Sequence, residues 1–214
     1  VIVTSVRDYL PPVLKILYPL KQRERIEFER DVLFLKDLLE KYPPTPPEVS
    51  IQPEDLALLQ YTGGTTGRPK GTMLTHRNIV ANTIQGKSWF YKDVEGKETI
   101  LLVMPLFHAY GMVAMFGHIC MGSTMILVPR FEIKNVLKLI KKYKPSLFPG
   151  VPTIFIAINN YPEARKYNIS SIKTCLCAAA PLPIEVISKF EEMTGAELIE
   201  GFGLTESSPI THLN

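Results

Sequence analysis

Two short runs in this 214-residue chain concentrate the residue types that handle anionic ligands. The first, Tyr61-Thr62-Gly63-Gly64-Thr65-Thr66-Gly67-Arg68-Pro69-Lys70-Gly71, gathers glycines, threonine hydroxyls and a lysine directly after an apolar stretch. Glycine lets successive backbone N–H groups turn toward one anion with no Cβ in the way. The threonines add hydroxyl donors and Lys70 adds a mobile positive charge, which together suit a polyphosphate. The run is not a Walker A loop, because Arg68 and Pro69 separate Gly67 from Lys70. A plain Gly/Thr surface loop between two strands is the alternative, and the density of donors favours phosphate. The second run is Glu200-Gly201-Phe202-Gly203-Leu204-Thr205-Glu206. Its acid and hydroxyl at a strand end suit a divalent cation and a phosphate. Taken alone, a tight turn carrying a solvated Glu is the stronger reading. Glu206 stands where a dinucleotide fingerprint would need its third glycine.

The elements that must hold these runs are legible from periodicity. Leu56–Thr62 reads as a buried strand, Asn78–Phe90 as a helix and Thr99–Met104 as a strand. A buried helix over 110–121 and a strand over Thr124–Val128 follow. Ile133, Val136, Leu137 and Ile140 form one helical stripe, with Lys134, Lys138, Lys141 and Lys142 mostly off it on a solvated face. Ser146–Val151 and Ile172–Ala178 read as strands, Pro183–Thr194 as a helix, and Ala196–Glu200 as a closing strand. Such alternation defines an α/β fold with largely parallel sheet layers and helices packed on them. Upstream, residues 21–42 read as a charged amphipathic helix or helix pair, with Phe28, Val32, Leu35 and Leu39 at helical spacing. Pro43, Pro44, Pro46 and Pro47 end it and mark a boundary, dividing a helical and linker part over 1–50 from a core over 51–214.

Composition removes several classes. Hydrophobic residues make up 46% and charged residues 21% of the chain, enough apolar material for a core and too much for disorder. A net charge of +3, spread diffusely, makes no electrostatic case for nucleic acid. Three cysteines do not make a disulfide framework and fit a reducing, cytoplasmic setting. Cys175 and Cys177 alternate on one strand face without further ligands at zinc spacing, so they read as buried thiols. Residues 99–129 carry no formal charge, which raises a membrane span. Pro105, His108, Gly111, Gly117 and Gly122 interrupt the stretch, and a buried β–loop–α–β unit explains it better.

Together the two runs resemble the adenylate-forming superfamily of acyl-CoA synthetases, luciferases and peptide-synthetase adenylation domains. Thr62–Gly71, with Thr72-Met73-Leu74-Thr75-His76-Arg77-Asn78 after it, resembles the family's phosphate loop. Pro105-Leu106-Phe107-His108 resembles its Pro-x-Phe-His motif. Ala178-Ala179-Ala180-Pro181-Leu182 resembles its adenine segment, and Gly201–Glu206 its Tyr-Gly-Leu-Thr-Glu signature. The likeness covers residues 50–214 well and the first fifty loosely. It departs at Gly63, where Ser or Thr is usual, at Phe202 for Tyr or Trp, and at Ala178 and Ala179 for a frequent Gly pair.

The resemblance implies ATP-dependent activation of a carboxylic acid to an acyl-adenylate, with Mg²⁺, then transfer to the thiol of coenzyme A. It places the β- and γ-phosphates on Thr62, Gly63, Gly64, Thr65, Thr66, Gly67 and Lys70. Ala178, Ala179, Ala180 and Pro181 would lie under the adenine, with Glu200, Gly201, Phe202 and Gly203 around it. Glu206 would ligate the metal, with Thr62 nearby, and Thr205 would meet the α-phosphate or the acyl carbonyl. His108 would flank the substrate carboxylate as donor or gate. The residues named for the chemistry are His108, Lys70, Thr205 and Glu206. His76 reads as a helix start, and His118 and His212 carry no role. Phe107, Tyr110, Met112, Met115 and Phe116 suit a medium or long fatty chain, and equally suit any core. The likeness is strongest to the fatty acyl-CoA synthetase branch, whose lipid substrate allows a peripheral membrane contact. A domain that loads a carrier-protein thiol, and a non-catalytic nucleotide-binding module, stay open as alternatives. Family members are more than twice this long. Val1 in place of Met, and the end of the chain soon after Glu206, lead to the expectation of a piece of the large N-terminal domain without the C-terminal lid domain.

Overall fold

Short, largely apolar strands alternate with helices along this chain. The computed structural model describes residues 1–21, 32–63, 67–90 and 92–214. The described chain divides into two units, Val1–Ser50 and Ile51–Asn214. In the first, β1 (Ile2–Val3) leads to α1 (Pro12–Lys21), and β2 (Leu33–Phe34) pairs parallel with β1 before α2 (Leu35–Lys41). The expected helix over 21–42 is therefore interrupted by a strand at 33–34, and Phe28 lies outside the described residues. The chain leaves α2 at Tyr42, directly before the proline cluster.

The second unit opens with an antiparallel hairpin, β3 (Leu56–Thr62) and β4 (Lys70–Thr75), paired from Leu56↔Thr75 to Thr62↔Lys70. The strand reading of 56–62 holds, but the strand is not buried. Leu56, Leu59 and Tyr61 are exposed, because the two-stranded ribbon stands apart from the main sheet. Helix α3 (His76–Trp89) starts at once, because Thr75 and Asn78 form a reciprocal capping box. His76 is the helix start that the sequence implies.

From there strands and helices alternate: β5 (Thr99–Leu102), α4 (Ala109–Cys120), β6 (Thr124–Leu127), α5 (Ile133–Tyr143), β7 (Leu147–Gly150), α6 (Pro152–Asn160), β8 (Thr174–Cys177), α7 (Ile184–Thr194), β9 (Glu197–Gly203) and β10 (Ile210–Leu213). They build a six-stranded sheet in the order β10-β9-β8-β7-β5-β6. All neighbours run parallel except β10, which is antiparallel to β9. The uncharged stretch 99–129 is the expected β5–loop–α4–β6 unit. No helix among the described residues is long and apolar enough to cross a membrane.

The core lies against the parallel strands. On α5, Val136, Leu137 and Ile140 are fully buried while the lysines face out, as the stripe requires. Phe155 packs edge-on against both Phe148 and Phe190, with ring centroids 5.9 Å and 5.1 Å away. Cys175 and Cys177 point into this core from β8, and burial pushes both thiols up, Cys177 to about 12. They are protonated packing groups.

Two expectations at the end of the chain change. The closing strand does not stop at Glu200 but runs to Gly203, so the second glycine-rich run lies mostly inside a strand. A further strand, β10, pairs with it. Asn82 of α3 fixes β10 by donating to the Ile210 carbonyl at 2.8 Å and accepting the Ile210 N–H at 3.0 Å.

Candidate functional site

The glycine-rich run is the turn of the β3–β4 hairpin. Thr62 and Lys70 face each other at the last pair of the ladder, with Gly63 and Gly67 between them. Gly67 has φ +89°, a conformation that favours glycine. Among the described residues, no atom lies within 4 Å of the Cβ position of Gly63 or Gly67, so these two positions are open to a ligand. Gly64, Thr65 and Thr66 lie outside the described residues. Lys70 is exposed, and among the described residues no ion pair engages it.

The hairpin is anchored toward the other motifs at two points. Gln60 on β3 donates to the carbonyl of Phe107 at 2.9 Å, tying the ribbon to the loop that carries His108. Strand β4 runs beside the 3₁₀ turn Thr205–Ser207, which carries Glu206. Glu206 is exposed and Thr205 half-buried. No group of three or more His, Cys, Asp or Glu able to hold a metal occurs among the described residues. A cation here would be held by Glu206, hydroxyls and the ligand's own oxygens.

His108 caps α4: its Nδ1 accepts the Tyr110 N–H at 3.2 Å. That bond fixes the protonated nitrogen of the neutral ring as Nε2. Gly111 lets this turn form, since a Cβ there would stand 2.2 Å from the Pro105 carbonyl oxygen.

The strand ends complete the groove. Beyond β8, Ala179 adopts φ +77°, which turns the Ala178–Pro181 backbone over the end of the sheet. Glu200 lines the groove together with Ala180, Pro181 and Phe202. Its Oε1 accepts the Leu182 N–H at 2.9 Å, so it holds the alanine segment to β9. Gly201 admits Leu176 and Leu213, each 3.0 Å from the position of an added Cβ. Phe202 is exposed at 59%, its ring 6.2 Å from that of His212. One face of that ring is therefore free for stacking.

These pieces line two continuous hollows. One brings together His108, Ala178, Ala179, Phe202, Gly203 and Thr205. It opens into a wider groove past Ala180, Pro181 and Glu200. A second cavity, lined largely by apolar residues, lies behind them between α3, α4 and the sheet. Tyr110, Leu176 and Ile210 belong to both. The buried Tyr110 hydroxyl donates to the Leu176 carbonyl at 2.6 Å, and burial raises its pKa well above the usual phenol value. Of the apolar residues expected to line a chain pocket, Tyr110 does so. Phe107 is 83% exposed, Met112 is buried in α4, and Met115 packs against Ile100, Leu102 and Leu147. The sequence reading missed Thr83, Val113 and Leu176. Their contribution depends on which face of α3, α4 and β8 meets the cavity, and periodicity does not rank those faces.

A parallel sheet with a glycine-rich hairpin at its mouth, and an acid–hydroxyl turn at one strand end, defines a nucleotide-handling α/β enzyme domain. The profile described as AMP-binding enzyme matches residues 7–214, and the chain belongs to that family. The chain is 47% identical over 221 residues to the long-chain-fatty-acid–CoA ligase of Bacillus subtilis, covering 100% of this chain and 40% of that enzyme. It is 37% identical over 169 residues to 4-coumarate–CoA ligase 2 of Nicotiana tabacum, covering 77% of this chain and 31% of that one. The inhibitor-bound N-terminal domain of FACL13 from Mycobacterium tuberculosis has the same fold, with a TM-score of 0.76 at 25% identity over 97% of this chain and 51% of that one. The chain thus spans two fifths or less of the length of these two curated relatives.

Proposed function

We propose that the protein containing this chain activates a medium- or long-chain fatty acid with ATP and Mg²⁺, and passes the acyl group to coenzyme A. One observation carries this reading. His108, Ala178, Ala179 and Thr205 line one hollow that shares Tyr110, Leu176 and Ile210 with an apolar cavity, and β4, which begins at Lys70, runs beside the turn that carries Glu206. Two adjoining hollows that share a wall suit a reaction joining a nucleotide to an apolar acid. The 47% identity to a long-chain-fatty-acid–CoA ligase supports the fatty acid over other acids.

The residues fit the implied ligands. The open turn around Gly63 and Gly67, with Thr62 and Lys70 at its base, offers N–H groups and a cation to the β- and γ-phosphates. Gly64, Thr65 and Thr66 would extend that cradle. The exposed Phe202 ring and the Ala178–Pro181 backbone would sandwich the adenine, and Glu200 would fix the height of that backbone. Glu206, with Thr62 nearby, would hold Mg²⁺, which supplies charge neutralisation for phosphate attack when bound. Thr205 would donate to the α-phosphate oxygen, and His108 would offer its Nε2 proton to the acid's carboxylate. Holding carboxylate and α-phosphate in line is the main contribution such a site makes.

Pyrophosphate exchange in the full-length protein, across fatty, aryl and amino acids with coenzyme A consumption scored, tests the reading. Acid-dependent exchange with fatty acids and formation of the CoA thioester is expected. Exchange with transfer only to a carrier protein would replace the acceptor. No exchange with any acid, together with no ATP binding at millimolar concentration, would leave no activity to assign.

A further inference from the structure

The apolar cavity contains polar atoms for which acid activation has no use. Among the described residues, Oγ1 of Thr83 and Oδ2 of Asp93 are buried without hydrogen-bond partners, and both residues line the cavity. Thr83 is only 7% exposed. Native proteins rarely leave such atoms unpaired unless a ligand or water takes them. The neighbours able to pair with them are engaged elsewhere. Lys87 is bonded to Glu95, His118 Nδ1 lies 3.1 Å from Ser123 Oγ, and Lys173 lies 3.5 Å from the Glu98 carboxylate. Burial, aided by the Glu98 charge and opposed by Lys173, pushes the Asp93 carboxyl up to about 6. Burial also lowers His118 to about 4 against the pull of Glu98, so its imidazole is neutral. This end of the cavity therefore holds an acceptor in want of a donor, with no positive charge at hand in the imidazole.

Position points the same way. Tyr110 and His118 both lie on α4, eight residues and roughly 12 Å apart along the axis. A chain whose carboxylate lies at His108 passes Tyr110 first and reaches the neighbourhood of His118 and Asp93 last. An alkyl terminus there would leave the buried Oδ2 of Asp93 with nothing to bond to, which is unfavourable. A hydroxyl would donate to it.

We propose that the preferred substrate is an acyl acid with a distal hydroxyl, which donates to Asp93 and accepts from Thr83. The proposal rests on the acyl-activating reading and narrows its substrate class. It is tested in the full-length protein with saturated acids and their ω-hydroxy analogues of matched length, over a ladder of chain lengths. The kcat/KM for the hydroxy acid is expected to exceed that of its plain partner by about tenfold or more at one length. Asp93→Leu is expected to reverse that preference and Thr83→Val to shrink it, while Thr83→Ser, which keeps the hydroxyl, retains it. Unfolding temperatures report that each variant is folded. Calorimetric binding of the same acid pairs gives the preference independently of turnover. A preference for plain acids at every length overturns the proposal, as does a hydroxyl preference that survives both Asp93→Leu and Thr83→Val. Equal handling of both series also overturns it, because Asp93 borders an outer groove beside Trp89 and Thr174 into which a long chain could run. Failure of all acids to release pyrophosphate would strike the activity reading, while the binding data would still decide the hydroxyl preference.

Discussion

Gly203 sits where a side chain has no room: an added Cβ would stand 2.3 Å from the Pro209 carbonyl oxygen. Gly203→Ala must push the last turn off β9, at a cost of about 1–3 kcal/mol. A fall of about 2–12 °C in melting temperature is expected by calorimetry. Glu206 is the opposite case, exposed and unencumbered, so Glu206→Gln leaves melting unchanged. If it holds the cation, pyrophosphate exchange falls by about a hundredfold or more. Two half-buried groups give opposite pH signatures. Asp93, raised to about 6, contributes stability that is present below its unfolded value and lost as pH rises through 6. Asp93→Asn therefore raises the melting temperature near pH 8 and has little effect near pH 4. His118, lowered to about 4, contributes stability that is present above its unfolded value and lost as pH falls toward 4. His118→Gln flattens that acid-side loss. Melting curves at a series of pH values separate the two, and parallel slopes in both variants would contradict the assignments.

At the scale of elements, the clamp between Asn82 and Ile210 decides whether β10 stays on the sheet. Asn82→Ala strands the N–H and C=O of Ile210 and is expected to cost about 2–4 kcal/mol in denaturant unfolding. Amide exchange at Ile210 should accelerate with it. Most elements of the second unit were legible because each carries one unambiguous signal: the Val136–Ile140 stripe of α5, the uncharged β5–α4–β6 unit, the Pro183 start of α7. The end of β9 was not. Gly201 and Gly203 read as turn residues, since glycine weakens strands in isolation. Here glycine is required because Leu176, Leu213 and Pro209 crowd the Cβ positions, a fact of tertiary contact. Strand β10 escaped for a related reason: it is held by a side chain far away on α3, not by an alternating pattern of its own. The motif residues were found by type and spacing. Their mutual placement needed the hairpin, and Gln60, which aims that hairpin at the His108 loop, has no local mark at all.

Over the whole molecule, parallel order leaves β6 at one margin of the sheet, paired only with β5 among the described residues. Leu127 on that strand is 57% exposed and Ile119 near the end of α4 55%. An open parallel edge with apolar side chains invites pairing with another chain. The isolated 214-residue chain should self-associate with concentration in light scattering, and Leu127→Lys should suppress it. The α/β class and the motif order were readable because they follow from composition and spacing. The exposure of β3 was not, since burial depends on what lies across from a strand. The wall formed by Tyr110, Leu176 and Ile210 has a practical consequence for anyone reshaping this protein. If the acid and the nucleotide take the two hollows as proposed, a cavity built for a new acid moves the same three residues that border the nucleotide. Selection for altered acid preference will therefore drag ATP affinity with it, and libraries that vary Tyr110 should be screened on both axes at once.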